Sequence, residues 1–229
     1  MQTLYFDSSS NLKDLIGRRL VTNKISAIFE LVKNSFDADA LEVVVEFDEE
    51  NNQLTISDNG DGMTYEDIKN KWMVIGTDNK KGRIYTKSGR PLNGEKGIGR
   101  FSADRLGKRL TLISETVNSN KAIKMEFDWE KFEEREEMRL SDIPVEYHYI
   151  ESKKEKGVTL IISDLRDEWD DIEISKLEKR LRGLLSPFQE TKKDKFSIVL
   201  DSKIYGYNKK KLTSYDLGDI SSLWIEMEI

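Results

Sequence analysis

The chain has 229 residues, 37% hydrophobic and 35% charged, with a net charge of -6, a pI near 5.2 and a mean hydropathy of -0.61. That length supports one large domain, or one domain and part of another. The composition excludes a membrane-spanning chain, since no apolar run approaches the roughly 18 residues a crossing needs, and the acidic balance argues against a protein that coats nucleic acid with its whole surface. There is no cysteine and His148 is the single histidine. Disulfides, thiolate nucleophiles and cysteine or histidine metal clusters are therefore excluded. The opening MQTLYFDSSS lacks the basic start and apolar stretch of a signal peptide, so a cytoplasmic location is expected.

In chain order, Leu12 to Leu20 reads as a short helix capped by Ser10 or Asn11. A second helix is predicted from Asn23 to Ala38, with Ile28, Phe29, Val32 and Phe36 within about 60° of Ile25 as its core stripe. The β-branched run Leu41 to Phe47 and the segment QLTIS read as a hairpin that delivers Asp58 to the end of its second strand. Tyr65 to Trp72 fits a short helix. Gly76 to Arg100 holds six of the fourteen glycines and seven basic residues against two acidic ones. A long glycine-rich loop of that charge reads as a functional lid or a disordered segment rather than an ordinary solvated linker. After a short helix at Phe101, KRLTLISET and AIKMEFDW read as paired strands, and EKFEEREEMR as a solvated helix or loop. KGVTLIISDL is the most apolar strand and is expected at the centre of the sheet. ISKLEKRLRGLLSPF is a helix ended by Pro187, KFSIVLDSKIYGY adds a strand, and SSLWIEMEI is a strand-like end suggesting a truncated chain.

Four constellations carry chemistry. On the second helix Glu30, Asn34 and Asp37 fall within about 60° of one another, opposite the core stripe. Alone, they fit a solvated helix face. SDNGDGM sets Asp58 at a strand end before Gly60 and Gly62, and fits either a turn or a close approach to a flat ring. GEKGIGR offers Gly94, Gly97 and Gly99 before a helix, where free amides favour anions. Thr159 lies two residues after Gly157 in the central strand, where threonine is also simply a good strand former.

In order and spacing, E-x-x-x-N-x-x-D-A, D-x-G-x-G, a long lid ending G-x-x-G-x-G and a late G-x-T strand resemble the GHKL ATPase superfamily of gyrase B, heat-shock chaperone ATPases, sensor histidine kinases, MutL and MORC proteins. The resemblance spans Ile16 to Leu165, with fainter likeness to about Leu200, and IGTDNK at Ile75 to Lys80 is similar to the chaperone and MutL segment that opens the lid. It implies an α/β two-layer Bergerat sandwich, a mixed, mostly antiparallel sheet covered on one face by helices, with the ATP-binding domain over residues 1–200, the lid over 76–100 and a transducer-like or truncated region over 201–229. It also implies roles. Glu30 would be the base that activates water. Asn34 would ligate Mg²⁺, Asp37 would shape the pocket floor, and Asp58 would accept from the adenine amino group. Gly60, Gly62, Met63 and Thr159 would complete the base site. Thr77, Lys80, Gly94, Lys96, Gly97, Ile98, Gly99 and Arg100 would surround the phosphates. Histidine kinases of the group usually carry Asn where Glu30 stands, so the resemblance points to hydrolysis. The expected ligands are ATP and Mg²⁺, with ATP-dependent homodimerisation of a larger clamp of MutL or MORC type that could act on DNA. A chaperone-like ATPase acting on proteins and a nonhydrolysing sensor remain alternatives. His148 is expected to be structural or exposed.

Overall fold

The structure is a computed structural model that describes residues 2–5, 7–8, 23–75, 85–92, 102–117, 119–133, 144–153, 155–185 and 196–214. Its elements are β1 (Gln2–Tyr5), β2 (Asp7–Ser8), α1 (Lys24–Asp37), β3 (Glu42–Asp48) and β4 (Gln53–Asp58), then α2 (Tyr65–Asp67), which runs into a π-helical turn (Ile68–Trp72), and β5 (Val74–Ile75). There follow α3 (Ser102–Leu106), β6 (Gly107–Glu115), β7 (Lys121–Asp128), α4 (Glu130–Glu133), β8 (Pro144–Glu151), β9 (Gly157–Leu165), α5 (Asp171–Arg182), β10 (Ser197–Ser202) and β11 (Tyr207–Lys211).

Helix α1 starts where Asn23 accepts the Ser26 amide at 2.7 Å on its side-chain oxygen, satisfying one orphan donor of the first turn. The helix buries more than its predicted stripe. Ala27, Leu31 and Ser35 are enclosed along with Ile28, Val32 and Phe36, because α1 packs against α3 and α5 as well as against the sheet. Ile25 and Phe29, also expected in the stripe, are only partly buried. Phe29 lies beneath the Arg180 guanidinium of α5, 4.4 Å from the ring centre, which favours a half-open aromatic face.

Nine strands form one sheet in the order β1-β8-β7-β6-β9-β4-β3-β10-β11, with β9 at the centre as its apolar sequence requires. Neighbours are antiparallel except β3 and β10, which pair in parallel from Ser197 against Glu42. Side chains alternate across each strand. Val43, Val45, Phe47, Leu54, Ile56, Leu110, Leu112 and Ile162 all turn to the helices and make the core. Between them Val44, Ser57, Thr159 and Ile113 form a cross-strand row on the opposite face. The fold is thus the expected mixed, mostly antiparallel sheet with a helix layer.

One feature was not anticipated: the opening residues supply the edge strand β1, paired with β8. Within and after KFSIVLDSKIYGY, β11 closes a hairpin on β10, so the sheet continues beyond residue 200, and Leu212 is buried. The predicted helix at 12–20, Pro187 and the terminal SSLWIEMEI lie outside the described residues. Among the described residues no helix is long and apolar enough to cross a membrane. His148 is exposed, as expected, on β8.

Candidate functional site

Strand β4 ends at Asp58, on the side of the sheet that faces α1. Its Oδ2 accepts the Ser35 hydroxyl of α1 at 2.8 Å, and its Oδ1 accepts the amides of Gly60 at 2.9 Å and Val158 at 3.2 Å. A carboxylate has about four acceptor positions. Three are taken among the described residues, which leaves one on Oδ2 beside the bond from Ser35. Asp58 as a whole residue is half-buried, and its carboxyl group is the enclosed part. Burial pushes its pKa up, and the bonds from Ser35, Gly60 and Val158 only partly offset this.

The turn after Asp58 is held from several directions. Asn59 Oδ1 accepts the amides of Leu41 and Glu42 at 2.8 and 2.9 Å, fixing the entry to β3. The Asp61 amide donates to the Ala38 carbonyl at the end of α1 at 3.0 Å. Ser114 of β6 clips Met63 twice: its hydroxyl oxygen accepts the Met63 amide at 2.7 Å, and the hydroxyl donates to the Met63 carbonyl at 3.0 Å. Gly62 has φ +69°, and a Cβ there would fall 1.8 Å from the Glu115 carbonyl oxygen. Gly157, at φ +132°, would put a Cβ 1.8 Å from the Asp58 carbonyl oxygen. The sequence left the SDNGDGM glycines to either a turn or the approach of a ring. At Gly62 the protein's own backbone makes the demand.

Glu30, Asn34 and Asp37 lie on the arc of α1 that is not enclosed. Asn34 is exposed, Asp37 partly buried, and the Glu30 side chain is 39% exposed. Lys33 Nζ lies 3.5 Å from Glu30 Oε1, one turn along the helix. α1 and the β4–α2 turn are joined through Ser35–Asp58 and Asp61–Ala38. Asp58, Gly60, Gly62 and Met63 lie at that turn, and Glu30, Asn34 and Asp37 lie on the helix that carries Ser35.

Thr159 is a correction. It pairs with Ser57 and Ile113, so alternation sets its side chain on the sheet face away from the helices. There it lines a cleft of about 500 Å³ with Val44, Ser57 and Ile113, and the same cleft also reaches Asp58, Asn59 and Gly157. Val158 occupies the Asp58 side, and its amide is what reaches the carboxylate. Thr77, Lys80, Gly94, Lys96, Gly97, Ile98, Gly99 and Arg100 lie outside the described residues. Sequence reasoning missed Ser35, Asn59, Ser114 and Val158. Of these, only Ser35 leaves a trace in the sequence, as a polar residue beside an apolar stripe.

A family profile described as histidine kinase-, DNA gyrase B- and HSP90-like ATPase matches residues 22–159, more than half of the chain and all of the site just described. This chain belongs to that ATPase family. The GHKL domain is similar to the chaperone protein HtpG of Clostridium acetobutylicum, with 29% identity over 209 residues, covering 80% of this chain and 31% of the relative. A putative type II restriction enzyme, HgiDII of Herpetosiphon aurantiacus, is 36% identical over 91 residues, or 40% of this chain and 15% of that one. The chain thus spans about a third or less of these curated relatives. Among solved structures, the Aquifex aeolicus MutL ATPase domain complexed with ADP matches with a TM-score of 0.50 and 18% identity, covering 85% of this chain and 65% of that one. That likeness shows the fold.

Proposed function

We propose that this GHKL domain binds ATP with Mg²⁺ and hydrolyses it slowly, with Asp58 as the acceptor for the adenine amino group. The observation that carries the reading is the Asp58 carboxylate, held by three donors with one acceptor position left beside the bond from Ser35 of α1. An exocyclic amino group is a donor that fits such a position, and Met63 offers a soft apolar flank to the ring. Asn34 supplies an exposed amide oxygen. Mg²⁺ takes few protein ligands and keeps waters and phosphate oxygens, so one amide at this place suits it; when bound, the ion neutralises phosphate charge. Glu30 is the base for the attacking water, and Lys33 at 3.5 Å orients its carboxylate. Asp37 shapes the floor between them.

In this reading ATP drives closure of the 76–100 segment and dimerisation of a larger clamp, of the MutL or MORC kind. A chaperone-like role is the second reading, favoured by the HtpG similarity over 80% of the chain. The same module resembles parts of both a chaperone and a putative restriction enzyme, so the client is set by segments beyond the module. The test is isothermal titration of ATP, with and without Mg²⁺, into the wild type and Asp58→Asn, together with light scattering in a nonhydrolysable ATP analogue. Binding that survives Asp58→Asn unchanged would overturn the assignment of the base site. A mass unmoved by nucleotide would overturn dimerisation of this domain.

A further inference from the structure

Within the basic, glycine-rich stretch, residues Tyr85 to Leu92 form a defined turn that is fastened to the domain. The turn supports itself. Thr86 donates its amide to the Arg90 carbonyl at 2.7 Å, Gly89 donates to the Thr86 carbonyl at 3.1 Å, and the Arg90 amide reaches the Thr86 hydroxyl oxygen at 3.2 Å. Tyr85 and Pro91 close it as a bridge.

Among the described residues, it is attached to the two segments that flank Asp58. The Ser88 amide donates to Asp39 Oδ2 at 3.1 Å, and the Ser88 hydroxyl donates to Asp39 Oδ1. Arg90 donates from its guanidinium to the Ala40 carbonyl at 2.6 Å and lies 5.2 Å from the Phe36 ring centre. Lys87 Nζ donates to Asp61 Oδ2 at 2.8 Å. Asp39 and Ala40 follow the end of α1, and Asp61 stands three residues beyond Asp58.

Asp39 has φ +59°, a backbone conformation that glycine adopts more easily. An aspartate held there supplies something glycine lacks, namely the carboxylate that receives Ser88. Burial pushes the Asp39 pKa up, but the bonds from Ser88 and Thr86 and the nearby Arg90 outweigh it and hold the group below its ordinary value.

We infer that the Tyr85–Leu92 turn is a latch, and that Asp39 and Arg90 are positioning residues that fasten it to the two segments flanking Asp58 and so slow nucleotide release. This rests on the ATP-binding reading above, and the test separates the two. Asp39→Gly removes the carboxylate and suits the positive φ. Arg90→Ala removes the guanidinium from a different point of the turn. In nucleotide-free protein, trypsin cleavage after Lys87, followed at that bond by mass spectrometry, is expected to accelerate about tenfold in both variants; within the turn the Arg90–Pro91 bond resists the enzyme. By stopped flow, a fluorescent ATP analogue is expected to dissociate about tenfold faster from both, while wild-type melting temperature is kept within a few degrees. Cleavage and dissociation at wild-type rates in both variants would overturn the latch. Faster cleavage with unchanged dissociation would overturn its positioning role. If the wild type fails to bind the analogue, the ATP-binding reading falls, and the attachments are then judged by cleavage alone.

Discussion

Replacing Asp58 separates the function of this carboxylate from its structural role. In Asp58→Asn, the amide oxygen can take the Oδ1 place and accept the Gly60 and Val158 amides, now at 2.9 and 3.2 Å from Oδ1. The amide nitrogen then takes the Oδ2 place and donates to Ser35 Oγ, whose hydroxyl rotates. No internal partner is lost, and a partly desolvated charge is removed. Stability at pH 7 is expected to be unchanged or to rise by about 1 kcal/mol. Asp58→Ala strands all three donors. At roughly 1 kcal/mol each, the loss is about 2–3 kcal/mol, a fall in melting temperature of about 4–12 °C for a domain of this size. Both variants are expected to lose nucleotide. In the asparagine variant the amide nitrogen would meet the adenine amino group donor to donor, which costs about 1.5–3 kcal/mol, or about 10- to 150-fold in affinity. The sign of the pH effect follows from the raised pKa. Ionising Asp58 costs the folded state stability as the pH climbs above 3.8 and through the higher folded value. The advantage of Asp58→Asn should therefore open as pH rises and vanish at lower pH. Differential scanning fluorimetry from pH 3 to 8, with and without ATP, measures all of this. An asparagine variant that melts several degrees lower yet still binds ATP would refute the reasoning.

Three further outcomes are expected. Glu30→Ala keeps ATP binding in titration calorimetry but loses at least about a hundredfold in turnover by phosphate release; turnover within a factor of two of wild type removes Glu30 as the base. Gly157→Ala places a Cβ 1.8 Å from the Asp58 carbonyl oxygen at a positive φ, so a loss above about 3 kcal/mol is expected by urea denaturation, and a midpoint near wild type would show that the β4–β9 contact gives way freely. At the start of α2, burial pushes the Asp67 pKa up, but Lys71 and Thr64 outweigh it and hold the group at about 2. Its contribution is therefore present above 3.8 and lost as the pH falls through about 2. Wild type and Asp67→Asn should differ in melting temperature at neutral pH and converge near pH 2, whereas a constant gap would assign the effect to packing.

Local pattern made most of the fold legible. The stripe from Ile28 to Phe36, the β3–β4 hairpin and the central place of β9 follow from periodicity and from β-branched runs. What it could not show is which neighbours enclose an element. Leu31 and Ala27 are buried because α3 and α5 flank α1, and those contacts arise far along the chain. The site divides the same way. Glu30, Asn34, Asp37 and Asp58 are marked by spacing, whereas Thr159 was assigned one residue out of step with the strand face. A sequence motif fixes positions along β9 but not which parity turns toward α1; the register against Ser57 decides that, and it is tertiary. The latch was invisible for the same reason, since Asp39 and Ser88 are 49 residues apart.

The three donors on Asp58 come from chain segments made at very different times. Ser35 and Gly60 emerge early, while the Val158 amide arrives about a hundred residues later, and β3 waits longer still for its parallel partner from Ser197 onward. During synthesis the early half carries an incomplete carboxylate site and an unpaired strand edge, with the slow, long-range pairing still to come. The nucleotide site proposed above is therefore completed only after the β9 segment has been made. An assay for ligand capture on ribosome-stalled chains would record when the fold is finished as well as what it binds.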